Sequence, residues 1–192
     1  MVLKEQAQIY RLVPDKDRYV AVTADEDDIN RIVKAGGFRG RPLADQWTPV
    51  HVWVRDQYSE YPDQVRPEDA DLLGFISGCL VLTGRAREIL GIILETCGEL
   101  LPLEASNPMY LFNCTNVIDA IGSERTKGTK FPSGIGYMRI EHYAMRGTAV
   151  SGHEAFKVPE RVKSDIFVSY RVASLIVESR LVGVRLEPVA TY

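Results

Sequence analysis

Several features that mark familiar classes of protein are missing from this sequence. No apolar run reaches the ~20 residues that a membrane-spanning helix needs, because glycine or charge interrupts the longest tracts. Near the start, Lys4, Glu5 and Gln6 interrupt any apolar stretch of the signal-peptide type before Ile9. We therefore expect a cytoplasmic protein without a membrane segment.

Cysteine and histidine are scarce, with three residues of each. Cys79, Cys97 and Cys114 stand far apart in apolar surroundings and lack C-x-x-C spacing, which favours buried structural thiols in a reducing compartment. The histidines form no H-x-H or H-E-x-x-H pattern that would supply metal ligands. The sequence thus predicts no metal site, no cofactor and no catalytic residue.

A strongly basic surface is also missing, since 23 basic and 26 acidic side chains leave a net charge of -3. Binding to nucleic acid or to an anionic membrane needs a positive field, so neither partner is expected. The charge is unevenly divided: residues 1–76 carry a net charge of -4 and residues 77–192 a net charge of +1. The predicted partner is a basic or neutral protein.

What the sequence does contain is one pattern repeated in three segments: a short apolar run, a capping side chain, an amphipathic stretch and a closing glycine. The caps are Thr23 or Asp25 in the first segment, Thr83 in the second and Ser169 in the third. The closing glycines are Gly36 and Gly37, Gly98, and Gly183. The first helix is predicted to bury Ile29, Ile32 and Val33.

The second and third segments resemble each other most. The interval from cap to closing glycine is 15 residues in one and 14 in the other, and each continues into a strand containing leucine, glutamate and proline. This similarity suggests a duplicated strand-helix-strand element, although caps and glycine stops also recur for local physical reasons.

Strands are predicted between these segments, at Trp47–Arg55, where Val50 and Val52 alternate with polar or aromatic residues, and at Tyr137–Tyr143, where Met138 and Ile140 alternate. Together the patterns indicate an α+β fold with mixed sheets and about three cap-helix-glycine units. We expect an acidic N-terminal portion, residues 1–76, and a second α+β portion, residues 77–192, within one continuous domain.

The segment from Asp56 to Asp71 is the strongest candidate for a binding surface, because it gathers six carboxylates around tyrosines against a single arginine. Tyrosine supplies rigid contact area and carboxylates steer a basic partner. An acidic surface loop that serves only solubility is the alternative interpretation. The candidate partner-binding residues are Asp56, Tyr58, Glu60, Tyr61, Asp63, Glu68 and Asp69.

A catalytic alternative rests on Cys114 and His142, which in a folded chain could meet as nucleophile and base. That hypothesis describes a small cysteine-dependent hydrolase. A third hypothesis is a structural or adaptor module that binds a partner protein through the same acidic segment.

An ordered set of short motifs gives the sequence a family resemblance. The motifs are Trp47-Thr48-Pro49, Asp71–Gly74, Glu99–Leu103, Tyr110–Asn113 with Asn116–Ala120, and Ile166–Ser169 with Gly183–Val189. In this order and spacing the chain resembles an immunity-protein family of bacterial polymorphic toxin systems, whose first described members lie beside a nuclease-type toxin gene in a predatory soil bacterium.

The resemblance implies a non-catalytic protein that binds the toxic domain of an effector inside the producing cell and blocks it. Such effectors are delivered by contact-dependent or type VI secretion. The matching positions are mostly apolar or glycine, so they imply the fold and not the contact residues. The oligomeric state does not follow from the sequence.

Overall fold

The computed structural model describes residues 8–34, 36–55, 70–133 and 137–192, which form an α+β fold. The helices are α1 (Glu26–Lys34), α2 (Gly84–Glu95), α3 (Gly147–Val150) and α4 (Tyr170–Glu178). The strands are β1 (Ile9–Pro14), β2 (Ala21–Ala24), β3 (Val52–Arg55), β4 (Leu72–Leu73), β5 (Leu80–Thr83), β6 (Gly98–Leu103), β7 (Met109–Cys114), β8 (Lys127–Lys130), β9 (Tyr137–His142), β10 (Ala144–Met145), β11 (Ala155–Phe156), β12 (Ile166–Ser169) and β13 (Val184–Thr191).

Two larger sheets and two strand pairs organise these elements. The five-stranded sheet has the order β10-β13-β1-β12-β11, and the four-stranded sheet has the order β4-β5-β7-β6. The pairs β2-β3 and β8-β9 complete the described strands. The predicted α+β class with mixed sheets is confirmed.

The two larger sheets repeat one arrangement. In the four-stranded sheet, β5 and β6 flank β7 and each pairs with it antiparallel, so the unit β5-α2-β6 contributes two parallel strands separated by a third. In the five-stranded sheet, β12 and β13 flank β1 in the same way. A short antiparallel strand, β4 or β11, lies outside β5 or β12. The strand-helix-strand element suggested by the sequence is therefore present twice.

The strand register extends this correspondence to individual residues. Pro102 of β6 lies opposite Tyr110, and Pro188 of β13 lies opposite Tyr10. Proline has no backbone N–H to donate, so within a sheet it is tolerated only where its nitrogen faces away from a hydrogen-bonded neighbour. The two prolines therefore occupy equivalent positions in their strands.

The helix N-termini correspond in the same way. Thr83 accepts a hydrogen bond from the Ala86 N–H, and Ser169 accepts one from the Val172 N–H, as the sequence predicted for the two caps. Two residues after each cap, an arginine pairs with a carboxylate that precedes the outer strand. The pairs are Arg85–Asp71 at 2.8 Å and Arg171–Glu154 at 3.0 Å.

Helices α2 and α4 contact each other, and their buried faces share one apolar cluster with residues of both large sheets. A second cluster joins the four-stranded sheet to residues between Tyr19 and Val54, and a third joins the five-stranded sheet to residues between Ile118 and Val158. The boundary drawn at residue 76 runs through both sheets, because β1 pairs with β12 and β13 and β4 pairs with β5.

Three local expectations are wrong. Val33 on α1 was expected to be buried but is 52% exposed, and Ile32 is the one residue of that helix that is fully buried. Met138 is 54% exposed while Tyr137 and Ile140 are buried, because the β8-β9 register shifts between Thr129 and Lys130 and breaks the alternation.

The third concerns two closing glycines: Gly98 begins β6 and does not close α2, and Gly183 precedes β13 and does not close α4, which ends at Glu178. Helix α2 ends at Glu95, and a side chain at position 98 would meet the Asn113 carbonyl oxygen at 2.2 Å.

Candidate functional site

The predicted contact residues of the acidic segment, Asp56 to Asp69, lie outside the described residues. The residues that flank this segment are described, and they show where its two ends join the fold, which we call its roots. Val54 and Ala70 both line one surface groove of about 730 Å³, which we call the Trp53 groove. Its other walls come from His51–Trp53, from Thr83–Arg85 at the start of α2, and from residues 105–109.

Strand geometry explains why Trp53 faces this groove. Val50 and Val52 are buried in the second apolar cluster, so the alternation of a strand turns His51 and Trp53 to the opposite side. Trp53 is 41% exposed, and its ring centroid lies 6.0 Å from that of His51. Trp53 is therefore a large aromatic side chain presented beside a groove.

Asp71 and Arg85 fix the floor of the groove. The buried Asp71 carboxylate accepts hydrogen bonds from Arg85 Nη1 at 2.8 Å and from the Val182 N–H at 3.0 Å. Arg85 Nη2 donates to the Ser179 carbonyl oxygen at 2.5 Å. Since these groups satisfy one another, they hold the start of α2 against the chain near residue 182.

Negative charge follows β2, the strand that pairs with β3. Thr23 lies opposite Trp53 in the strand register, and the chain continues from β2 into Asp25, Glu26 and Asp27, all of them exposed. Acidic side chains in the first turn of α1 are also favoured by the helix dipole. These exposed carboxylates add negative charge to the chain as it leaves the β2-β3 pair.

The surroundings of the thiols disfavour a nucleophilic site. Cys79, Cys97 and Cys114 are all buried, and burial raises the pKa of Cys79 and of Cys114 to about 12. Cys114 is in β7 of the four-stranded sheet, whereas His142 is in β9 of a separate strand pair. A thiol that keeps its proton at neutral pH is a poor nucleophile, which counts against the hydrolase hypothesis.

Residues 8–34, 36–55, 70–133 and 137–192 contain no group of three histidine, cysteine, aspartate or glutamate side chains placed to hold a metal ion. Among the helices within those ranges, none is long and apolar enough to cross a membrane.

Two residues that the sequence analysis overlooked have unusual environments. Lys157 is fully buried, and its ammonium group donates to the carbonyl oxygens of Phe38, Gly78 and Val162 at 2.5, 2.6 and 3.1 Å. Burial lowers the pKa of Lys157 from its ordinary value, against the opposing effect of nearby thiols. Arg180 adopts a positive φ of 52°. The alternation of valines in the sequence indicated that Trp53 faces outward, whereas no sequence pattern indicated the environments of Lys157 and Arg180.

Comparison with known proteins does not supply an identity for the site. A scan against protein-family models finds no match, and a search of curated proteins finds none either.

Proposed function

We propose that this protein is an immunity protein that binds a toxin in the producing cell and covers the toxin's active surface. The observation that carries the proposal is the Trp53 groove, where an exposed tryptophan stands at the roots of the acidic segment 56–69. The ordered motifs of the sequence point to the same function.

The composition of this surface suits a protein partner. Tryptophan and tyrosine dominate binding energy at protein interfaces because they bury a large rigid area at little entropic cost. Carboxylates around such an anchor attract a basic partner and speed its capture. A nuclease-type toxin has a basic substrate channel, so Trp53 would insert beside that channel while the carboxylates oppose its positive charge.

Inhibition in this proposal is occlusion: no bond is made or broken by the inhibitor. We propose a cytoplasmic location, since the toxin would act on cytoplasmic targets after contact-dependent or type VI delivery. Burial raises the pKa of Cys79 and of Cys114, which counts against a nucleophilic role for these two thiols.

The first test replaces the anchor. The toxin candidate is the product of the neighbouring gene, co-expressed with this protein and recovered by affinity purification. We expect Trp53→Ala to weaken toxin binding about 30-fold and to reduce survival of toxin-expressing cells. Tyr170→Ala is the matched control, because Tyr170 is 47% exposed at the start of α4, outside the groove. Equal binding by both variants would place the interface elsewhere.

A second test changes the charge of the acidic segment. Replacing Asp63, Glu68 and Asp69 with lysine should slow association with the toxin, and the effect should be larger at low salt than at high salt. Stopped-flow association at two ionic strengths measures it. An unchanged association rate at both would remove the segment from the interface.

Survival separates this proposal from the adaptor hypothesis. An adaptor for another partner would leave cells expressing the neighbouring toxin unprotected, even if it bound some protein through the same groove.

A further inference from the structure

We propose that a second groove, between the C-terminal end of α4 and the start of β13, docks an acidic segment of a partner protein, and that Arg180 is the residue that recognises its carboxylates. We call it the Arg180 groove. The inference is independent of the immunity function, because it rests on the backbone of Arg180 and on the charges around it.

Arg180 occupies a position where helices that end in a left-handed residue usually have glycine. The Leu181 N–H bonds to the Ile176 carbonyl oxygen at 2.9 Å and the Arg180 N–H to that of Val177 at 3.0 Å, which is the hydrogen-bond pattern of a helix ended by one left-handed residue. With a φ of 52°, Arg180 is that residue, and it is the single non-glycine residue with positive φ within the described ranges. A side chain in this conformation is strained, and such strain concentrates at functional positions.

Nothing in the described part of the chain offsets this strain through the side chain. Arg180 is exposed, and its guanidinium makes no hydrogen bond or ion pair with any described residue. The C-terminal end of a helix favours a positive charge, but an arginine at the preceding position, Ser179, would supply that charge without the left-handed backbone. Stability alone therefore does not account for arginine at position 180.

The surroundings of Arg180 suit an anionic partner. The Arg180 groove has a volume of about 710 Å³, and Arg18 and Arg185 line it together with Tyr19 and the half-buried aliphatic Val182 and Leu186. The guanidinium of Arg185 is already paired, with Asp15 at 3.3 Å and Asp17 at 2.9 Å.

Arg18 has one weak contact, with Nε 4.0 Å from the Asp15 carboxylate. Arg180 and Arg18 are therefore the cations in this groove that remain open to a ligand. Because guanidinium groups bind carboxylates in bidentate geometry, two such cations beside apolar side chains fit a peptide that carries both kinds of side chain.

The carboxylates in the groove favour a peptide over a phosphorylated small molecule. Asp15 and Asp17 line the same wall, and they repel a ligand whose negative charges are concentrated at one point. A peptide spaces its carboxylates by about 7 Å when every second residue is acidic, so they can reach the open arginines and avoid the aspartates.

The binding test uses a labelled eight-residue peptide of alternating glutamate and leucine, followed by fluorescence anisotropy with the intact protein at 50 mM and 300 mM salt. We expect binding that weakens at the higher salt, about tenfold weaker binding to Arg180→Gln, and unchanged binding to Arg139→Gln, an exposed arginine on β9. A peptide of alternating glutamine and leucine should not bind.

Three results would overturn the proposal: no binding of the glutamate peptide, equal binding to the wild type and to Arg180→Gln, or displacement of the peptide by equimolar pyrophosphate. The last would identify a phosphate site instead.

The strain is tested separately by Arg180→Gly. Glycine adopts a positive φ without strain, so this variant should unfold about 1–4 °C higher than the wild type and bind the glutamate peptide as poorly as Arg180→Gln. A variant that gains no thermal stability would show that arginine is not strained here, and the proposal would lose its first support.

Discussion

The buried Lys157 offers the sharpest test of how segments around the two larger sheets are joined. Its ammonium group donates to carbonyl oxygens at Phe38, Gly78 and Val162, which come from the covering layer of the four-stranded sheet, the loop before β5 and the chain before β12. Three donors meet three acceptors, as the protonated amine requires. Lys157 therefore links three segments that are distant in sequence.

Replacing Lys157 with methionine keeps an unbranched side chain, one heavy atom shorter, and removes the donors. Each carbonyl left without a partner costs about 1–3 kcal/mol, while the several kcal/mol spent on burying the ammonium are recovered. We expect a net loss of about 2–4 kcal/mol in the free energy of unfolding. Urea unfolding followed by circular dichroism and linear extrapolation measures it.

Lys163→Met is the control for this experiment, because Lys163 is exposed and its replacement should change stability by less than about 0.5 kcal/mol. If the methionine variant does not accumulate as folded protein, Lys157→Gln retains two donors and should show a smaller loss. A Lys157→Met variant as stable as the wild type would refute the role assigned to these hydrogen bonds.

Two further predictions concern the interior. Burial raises the pKa of Cys79 and Cys114 from 9.0 to about 12, so the folded state keeps protons that the unfolded state releases above pH 9. The contribution of these thiols to stability is complete below pH 9 and falls as the pH rises towards 12, so a double alanine variant should lose less stability than the wild type between pH 8 and pH 10 in urea titrations. Gly98→Ala should destabilise the protein by about 1–3 kcal/mol, because its methyl group would meet the Asn113 carbonyl. Gly84→Ala, whose methyl group would have ordinary contacts, should be neutral or stabilising when both variants are unfolded in urea, and equal losses in the two would contradict the close approach at β7.

The local elements of this fold follow from the sequence because their causes are local. Thr83 and Ser169 cap the two longest amphipathic stretches, and each cap lies at the end of a short apolar run. The same reasoning placed Val50 and Val52 in the core and so turned Trp53 outward.

The pairing of strands does not follow from the sequence, because it depends on contacts between distant segments. Nothing local in β1 indicates that it lies between β12 and β13, more than 150 residues further along the chain. Lys157 shows the same limit at the scale of one residue, since its acceptors Phe38 and Gly78 lie 119 and 79 residues away. The strain at Arg180 likewise arises from the geometry of a helix end that many sequences would close with glycine.

If this protein blocks a toxin by covering it, a titration of toxin activity will show stoichiometric inhibition. Purified product of the neighbouring gene is held at a fixed concentration well above the dissociation constant, and increasing amounts of this protein are added. We expect a linear fall in toxin activity that ends at an equivalence point fixed by the stoichiometry of the complex, with Trp53→Ala requiring excess protein. Complete inactivation by a small fraction of one equivalent would show turnover, and undiminished toxin activity in excess inhibitor would show that the toxin is not the partner; either result would contradict the account.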